Sequence, residues 1–343
     1  MNAILKLYRR DRHISRLVLM MAAWLIFMAI TCFDKFFAIK NFQKIATTFP
    51  EFGLMALGEM LCMITGGIDL SSVGIANLTG IMMAMFMKNQ VNEAGEAAAW
   101  VIPAALLMAM ICGLIAGACN GLLISKIKVP PILATLGINQ LLTGVSMVIT
   151  NGKAVSGIPD SYSEIINNKI LKVVPGKRGT VSGLIPVQLI IFLIVAVIIW
   201  FIISRTTYGK KIYMIGTNEK VARFSGLKVD RILIKTYAAS GICAALGGMI
   251  MLANYSVARS DYGSQYTLQC ILIAVLGGVS PNGGRGRLSG VMLAIVLLSL
   301  LEAGINRFPQ ISSYYITLIW GAVLLLVMVL NYFVEHPILK KKA

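Results

Sequence analysis

The sequence predicts an all-α polytopic integral membrane protein of about ten (8–10) transmembrane segments with Gly-interrupted helices. Three observations carry this expectation. Hydrophobic residues make up 57% of the 343-residue chain and charged residues 13%, with a mean hydropathy of +0.80. So few charges cannot cover that much apolar surface in water. Apolar runs approach the roughly 20 residues that cross a ~30 Å hydrocarbon core, and glycine-rich polar breaks separate several of them.

In chain order the candidate segments are 17–33, 45–66, 72–88, 97–123, 130–150, 184–204, 232–254, 267–279, 287–305 and 314–334. The eighth is short and the second and third nearly touch, which sets the lower count. A basic stretch, "MNAILKLYRRDRHISR", precedes the first run, as in a signal peptide. No small-x-small cleavage site follows and "AITC" is a poor lipoprotein box, so it reads as an uncleaved first span. No soluble domain is expected: residues 1–343 read as one transmembrane domain. An external loop at about 151–182 should have little regular structure, and a second polar loop covers about 205–231.

The net charge of +17 reports orientation. With the N-terminus inside and ten segments alternating, the inner side collects Lys6, Arg9, Arg10, Arg12 and Arg16. It also takes Lys126, Lys128, the basic run from Arg205 to Lys235, Arg285, Arg287 and Lys340 to Lys342. That is the positive-inside pattern, with both termini cytoplasmic, and not a nucleic-acid surface. Cys32, Cys62, Cys112, Cys119, Cys243 and Cys270 fall in apolar segments without a CxxC pair and read as small core residues. With only His13 and His336, a histidine-based catalytic site has no material. No metal set or cofactor is expected.

Within the runs, "GGIDLSSVGIANLTG" (66–80) and "GGVSPNGGRGRLSG" (277–290) share one pattern: a glycine pair, a polar break, then Leu-Thr/Ser-Gly before the next run. Duplicated Gly-interrupted segments point to a transporter with broken helices. Gly66 and Gly67 can end a helix, and Asp69 and Ser71 can cap the next. Backbone freed from a helix inside a bilayer must be buried in protein or line a wet cavity. Asp69, Ser71, Asn120 and Gln269 are therefore the candidate pathway or gate residues. Glu51, Glu59 and Glu302 are the other acids in apolar segments, each needing a partner or a cavity. Asn77, Asn139, Gln140, Thr143 and Asn254 add neutral hydrogen-bonding groups, suited to a hydroxyl-rich solute or to interhelical contacts. Gly113, Gly117 and Gly121 form a stripe suited to close helix packing.

The loop "GTNEKVARFSGL" (216–227) carries a short helix signature. Thr217 or Asn218 can cap it, Glu219 and Arg223 stand at i and i+4, and Gly226 can close it. Such a rigid knob suits docking to a soluble partner. Neither "YGKKIY" nor "NGGRGRLSG" supplies the GxxxxGK[ST] phosphate loop, so any ATP chemistry must come from another chain.

Four stretches in order, "TGGIDLSSVG", "NGLLISKIKVPPILATLG", "GTNEKVARFSGL" and "LGGVSPNGGRGRLSG", resemble motifs of the sugar-type (ribose permease-like) permease subunits of bacterial ABC importers. The resemblance covers nearly the whole chain. It implies a plasma-membrane subunit that imports a monosaccharide, paired with a second permease copy (homodimer or heterodimer). It also implies cytoplasmic ATPase subunits and an extracytoplasmic solute-binding protein. Asn218, Glu219, Ala222, Arg223, Ser225 and Gly226 would form the ATPase-coupling helix. The chain departs from the family at Thr267 and Gln269, where acids are frequent, and at Ser72, Val73 and Gly74. The rival readings are a proton-coupled secondary transporter using Glu59 and Asp69, and a non-transporting membrane scaffold. An enzyme is the least supported class.

Overall fold

The computed structural model describes residues 12–92, 98–175 and 181–308, together with 315, 318–319, 321–325 and 329. The expected tenth segment, 314–334, lies mostly outside the described residues, and Lys6, Arg9, Arg10, His336 and Lys340 to Lys342 lie wholly outside them.

Among the described residues the regular elements are helices and one antiparallel strand pair, joined by turns and irregular segments. In order come α1 (Arg12–Thr31), α2 (Phe33–Phe36), α3 (Ile39–Ile64), α4 (Ser72–Lys88) and α5 (Val101–Leu122) with a π turn at Leu123–Ile127. Then follow α6 (Pro131–Thr150), α7 (Asp160–Asn167), β1 (Lys169–Pro175), β2 (Val181–Pro186) and α8 (Val187–Arg205). The series closes with α9 (Thr207–Thr217), α10 (Glu219–Phe224), α11 (Val229–Tyr255), α12 (Tyr266–Leu276) and α13 (Leu288–Ile305).

Among the described residues six stretches are long and apolar enough to cross a membrane: Ile14–Thr31, Val101–Ile127, Pro131–Thr150, Val187–Arg205, Val229–Tyr255 and Leu288–Ile305. α4 and α12 are apolar but shorter. α3 is long, but it carries Lys40, Lys44, Glu51 and Glu59. The expectation of little regular structure in the 151–182 loop is corrected. Residues 160–167 form α7, and β1 pairs antiparallel with β2, Lys169 opposite Pro186 and Ile170 opposite Ile185. The turn-forming residues there punctuate short elements and do not abolish them. Anchors hold the segment down: Tyr162 donates to the Met249 carbonyl (2.7 Å) and Asn167 to that of Ala253 (2.8 Å).

The core is built on α11 and α3. Most of α11 is buried, and the glycine stripe of α5 lies against it. A Cβ on Gly113 would press on the Gly241 carbonyl, one on Gly117 on that of Tyr237, and one on Gly121 on the Ile234 backbone. Small residues let two helices approach where lipid gives no hydrophobic drive for association. By contrast α6 and α8 expose apolar side chains such as Leu133, Val148, Val197 and Ile198, as lipid-facing helices do.

Candidate gate and coupling site

Both glycine breaks fold alike. At the first, Gly66 takes φ +87° and the Gly67 N–H returns to the Cys62 carbonyl (3.2 Å). At the second, Gly278 takes φ +85° and the Val279 N–H returns to the Ala274 carbonyl (3.0 Å). Each is a left-handed closure that a side chain with a Cβ strains to adopt. The two breaks meet: the Gly284 N–H donates to the Ile64 carbonyl at 2.9 Å. Gly216 of α9 fits between them, where an added Cβ would collide with that same carbonyl and with Gly284. Tyr213, one turn earlier, donates to the Gly286 carbonyl (2.7 Å).

Behind the first break lies a buried polar cluster. Asp69 is 2% exposed, and Glu59, Ser71 and Asn120 are fully buried. Asp69 Oδ1 accepts from the Ser71 backbone N–H (3.0 Å) and the Ser71 hydroxyl (2.5 Å). Its Oδ2 accepts from the Ser240 hydroxyl of α11 (2.7 Å). Asn120 of α5 donates to Ser71 Oγ (2.7 Å), and Glu59 of α3 accepts from the Asp69 N–H (3.0 Å). Glu59 of α3 and the Asp69 carboxylate itself thus satisfy the broken backbone at Asp69 and Ser71, as an irregular segment in a membrane requires. Asn120 of α5 and Ser240 of α11 hold the Ser71 and Asp69 side chains. α6 completes the set. Thr135 accepts from the Leu70 N–H (3.1 Å) and Asn139 from the Gly74 N–H (2.9 Å).

Three of the four expected gate residues therefore converge, and the fourth does not. Gln269 is fully buried on α12 beside Glu302 of α13. The expectation that Ser71 caps α4 with its side chain is also corrected: its hydroxyl is committed to Asp69 and Asn120, and it makes no cap bond to α4. Sequence reasoning missed Ser240 and Thr135. Ser240 stands in an unremarkable "AASG" run, with no local signal of its contact to Asp69.

The α10 knob has the expected local chemistry. Asn218 Oδ1 accepts from the Val221 N–H (3.1 Å), and Gly226 closes the helix at φ +78°. Ala222 is buried, while Val221 (57%) and Phe224 (91%) are exposed. Arg223 binds Glu219 (2.8 Å) and Asp230 (2.5 Å), and those hydrogen bonds, Asp230 first, push its pKa up. Lys128, in a left-handed backbone at φ 66°, reaches Glu219 (3.4 Å) and Asp230 (3.7 Å). Such exposed pairs add little stability individually. They do fix the knob to the α5–α6 connection.

A family model described as "branched-chain amino acid transport system / permease component" matches residues 41–330. The chain is similar to the ribose import permease protein RbsC of Escherichia coli (strain K12), 33% identical over 312 residues, 90% of this chain and 91% of that one. It is similar to the ribose import permease protein RbsC of Bacillus subtilis (strain 168), 33% identical over 279 residues, 81% and 80% of the two chains. The autoinducer 2 import system permease protein LsrD of Yersinia enterocolitica (serotype O:8 / biotype 1B) is 32% identical over 286 residues, 81% and 79%. No solved structure matches.

Proposed function

The chain belongs to the branched-chain amino acid transport system / permease component family, and from that premise we propose how this ABC importer subunit works and what it carries. It is a multi-pass inner-membrane protein and not an enzyme, acting with ATPase and binding-protein partners. Our reading is a single domain of about ten (8–10) spans with both termini cytoplasmic, residues about 151–182 outside and about 205–231 inside, pairing with a second permease copy. Its cargo is a small neutral sugar, a reading supported by the ribose permease relatives and by the neutral polar groups along the bundle.

α10 is the knob that enters the ATPase. One observation carries this: the helix leading into it, α9, is wedged through Gly216 between the Ile64 and Gly284 ends of both breaks. Movement of α10 is thereby passed to α3 and α12–α13 with no flexible side chain between. Proteoliposomes holding the chain with its ATPase and binding protein test the reading. ATP-dependent D-ribose uptake supports it. Uptake driven by an imposed proton gradient through the chain alone supports instead the secondary transporter built on Glu59 and Asp69.

A further inference from the structure

At the ends of α3, α12 and α13 opposite the breaks, the bundle holds a cavity of about 370 Å³. Its walls include Lys44 and Glu51 of α3, Tyr255 at the end of α11, Tyr266 opening α12, Glu302 of α13 and Arg307 just beyond. The volume falls within the ~300–1,000 Å³ range of small-molecule sites, at the small end. Glu51 is 1% exposed. Its carboxylate accepts from the hydroxyls of Tyr266 (2.5 Å) and Tyr255 (3.2 Å) and from Asn254 (3.0 Å). Arg307 donates from Nη2 to Asn41, yet its buried Nε has no partner among the described residues.

Two acidic side chains, Glu51 and Glu302, and two basic ones, Lys44 and Arg307, share this lining. A free anion would meet the acids, and a free cation would meet Lys44 and Arg307. A neutral solute that both donates and accepts meets no such opposition. Sugar hydroxyls donate to carboxylates and accept from guanidinium and ammonium groups, and the Tyr255 and Tyr266 rings offer apolar faces beside those groups. We propose that this cavity is a transit site for one neutral sugar ring, with Glu302 accepting hydroxyls, Arg307 Nε donating, and Tyr266 forming a wall. The placement adds the mechanism. The same three helices that end at the breaks wall the cavity at their other ends, so a tilt begun at Gly216 opens or closes it.

The inference rests on the sugar-import reading above. D-ribose uptake is measured in proteoliposomes carrying the complete importer, for the unsubstituted chain, Glu302→Gln and Arg307→Lys, which keeps the charge but removes the Nε donor, with ATPase co-purification as the assembly control. A second measurement places a thiol at the wall through Ala303→Cys. Its reaction with a charged, membrane-impermeant thiol reagent is followed with and without D-ribose under turnover, the unsubstituted chain giving the background. Expected are an uptake loss of at least tenfold in both variants with assembly kept, and at least threefold slower labelling in the presence of D-ribose but not of L-leucine. Unaltered uptake in both variants, or labelling indifferent to D-ribose, overturns the transit site alone. Absent D-ribose uptake by the unsubstituted importer overturns the sugar reading and this inference together. Protection by L-leucine in place of D-ribose overturns the neutral-sugar assignment.

Discussion

Gly216 of α9 backs onto the carbonyl of Ile64, the last residue of α3, in a space that has no room for a Cβ. The carbonyl at that point already accepts the Gly284 N–H (2.9 Å), so the contact joins three backbones. Gly216→Ala must push α9 away from both breaks or strain the closure. The ATPase should still co-purify, because α10 itself is untouched, while transport falls at least roughly tenfold, corresponding to about 1.4 kcal/mol. Uptake equal to the unsubstituted importer would rule out this relay.

The knob should fail in two separate ways. Glu219→Lys sets a cation beside Lys128 and Arg223, replacing two attractive contacts at 3.4 and 2.8 Å with repulsion. Gly226→Pro demands φ near −65° where the backbone holds +78°. Both variants should lose most ATPase in co-purification while the chain keeps its detergent-extracted monodispersity. Undiminished attachment in both would remove α10 from the coupling interface.

Asp69→Asn turns one of two accepting oxygens into a donor. Both oxygens accept now, from Ser71 and from Ser240; an amide NH2 turned to Ser71 opposes its backbone N–H, and one turned to Ser240 makes that hydroxyl the acceptor and deprives its proton of the Asp69 oxygen. The cost is about 1–3 kcal/mol for a buried group left unsatisfied, with transport impaired more than assembly. Full transport in this variant would show that the gate does not need the carboxylate.

Much of this site was legible because its determinants are local. The α10 caps, Asn218 and Gly226, lie within a few residues of the helix they bound. The two glycine closures need only their own backbone. The stripe Gly113, Gly117 and Gly121 follows from helical periodicity. What was not legible depends on partners far along the chain. Ser240 meets Asp69 across 171 residues, and Lys128 meets Glu219 across 91. Gln269 shares the polar character of Asn120 but sits on α12 beside Glu302 of α13. The β1–β2 hairpin was hidden by turn-forming residues that read equally well as coil.

The glycine stripe gives a stability test. Gly117→Val places a branched side chain against the Tyr237 carbonyl and Ala238 backbone, and neither belongs to a mobile side chain. Overpacking of this kind costs about 1–3 kcal/mol or more. The purified variant should melt earlier than the unsubstituted chain. An unchanged melting temperature would mean that α5 and α11 can separate freely.

The central claim is that this subunit is a gate without a motor, worked from α10. Solute accumulation in proteoliposomes, compared with and without the ATPase subunits, tests it most directly. The account predicts ATP-dependent accumulation when the ATPase and binding protein are present and none by the chain alone, even under an imposed proton gradient. Accumulation by the chain alone would contradict it.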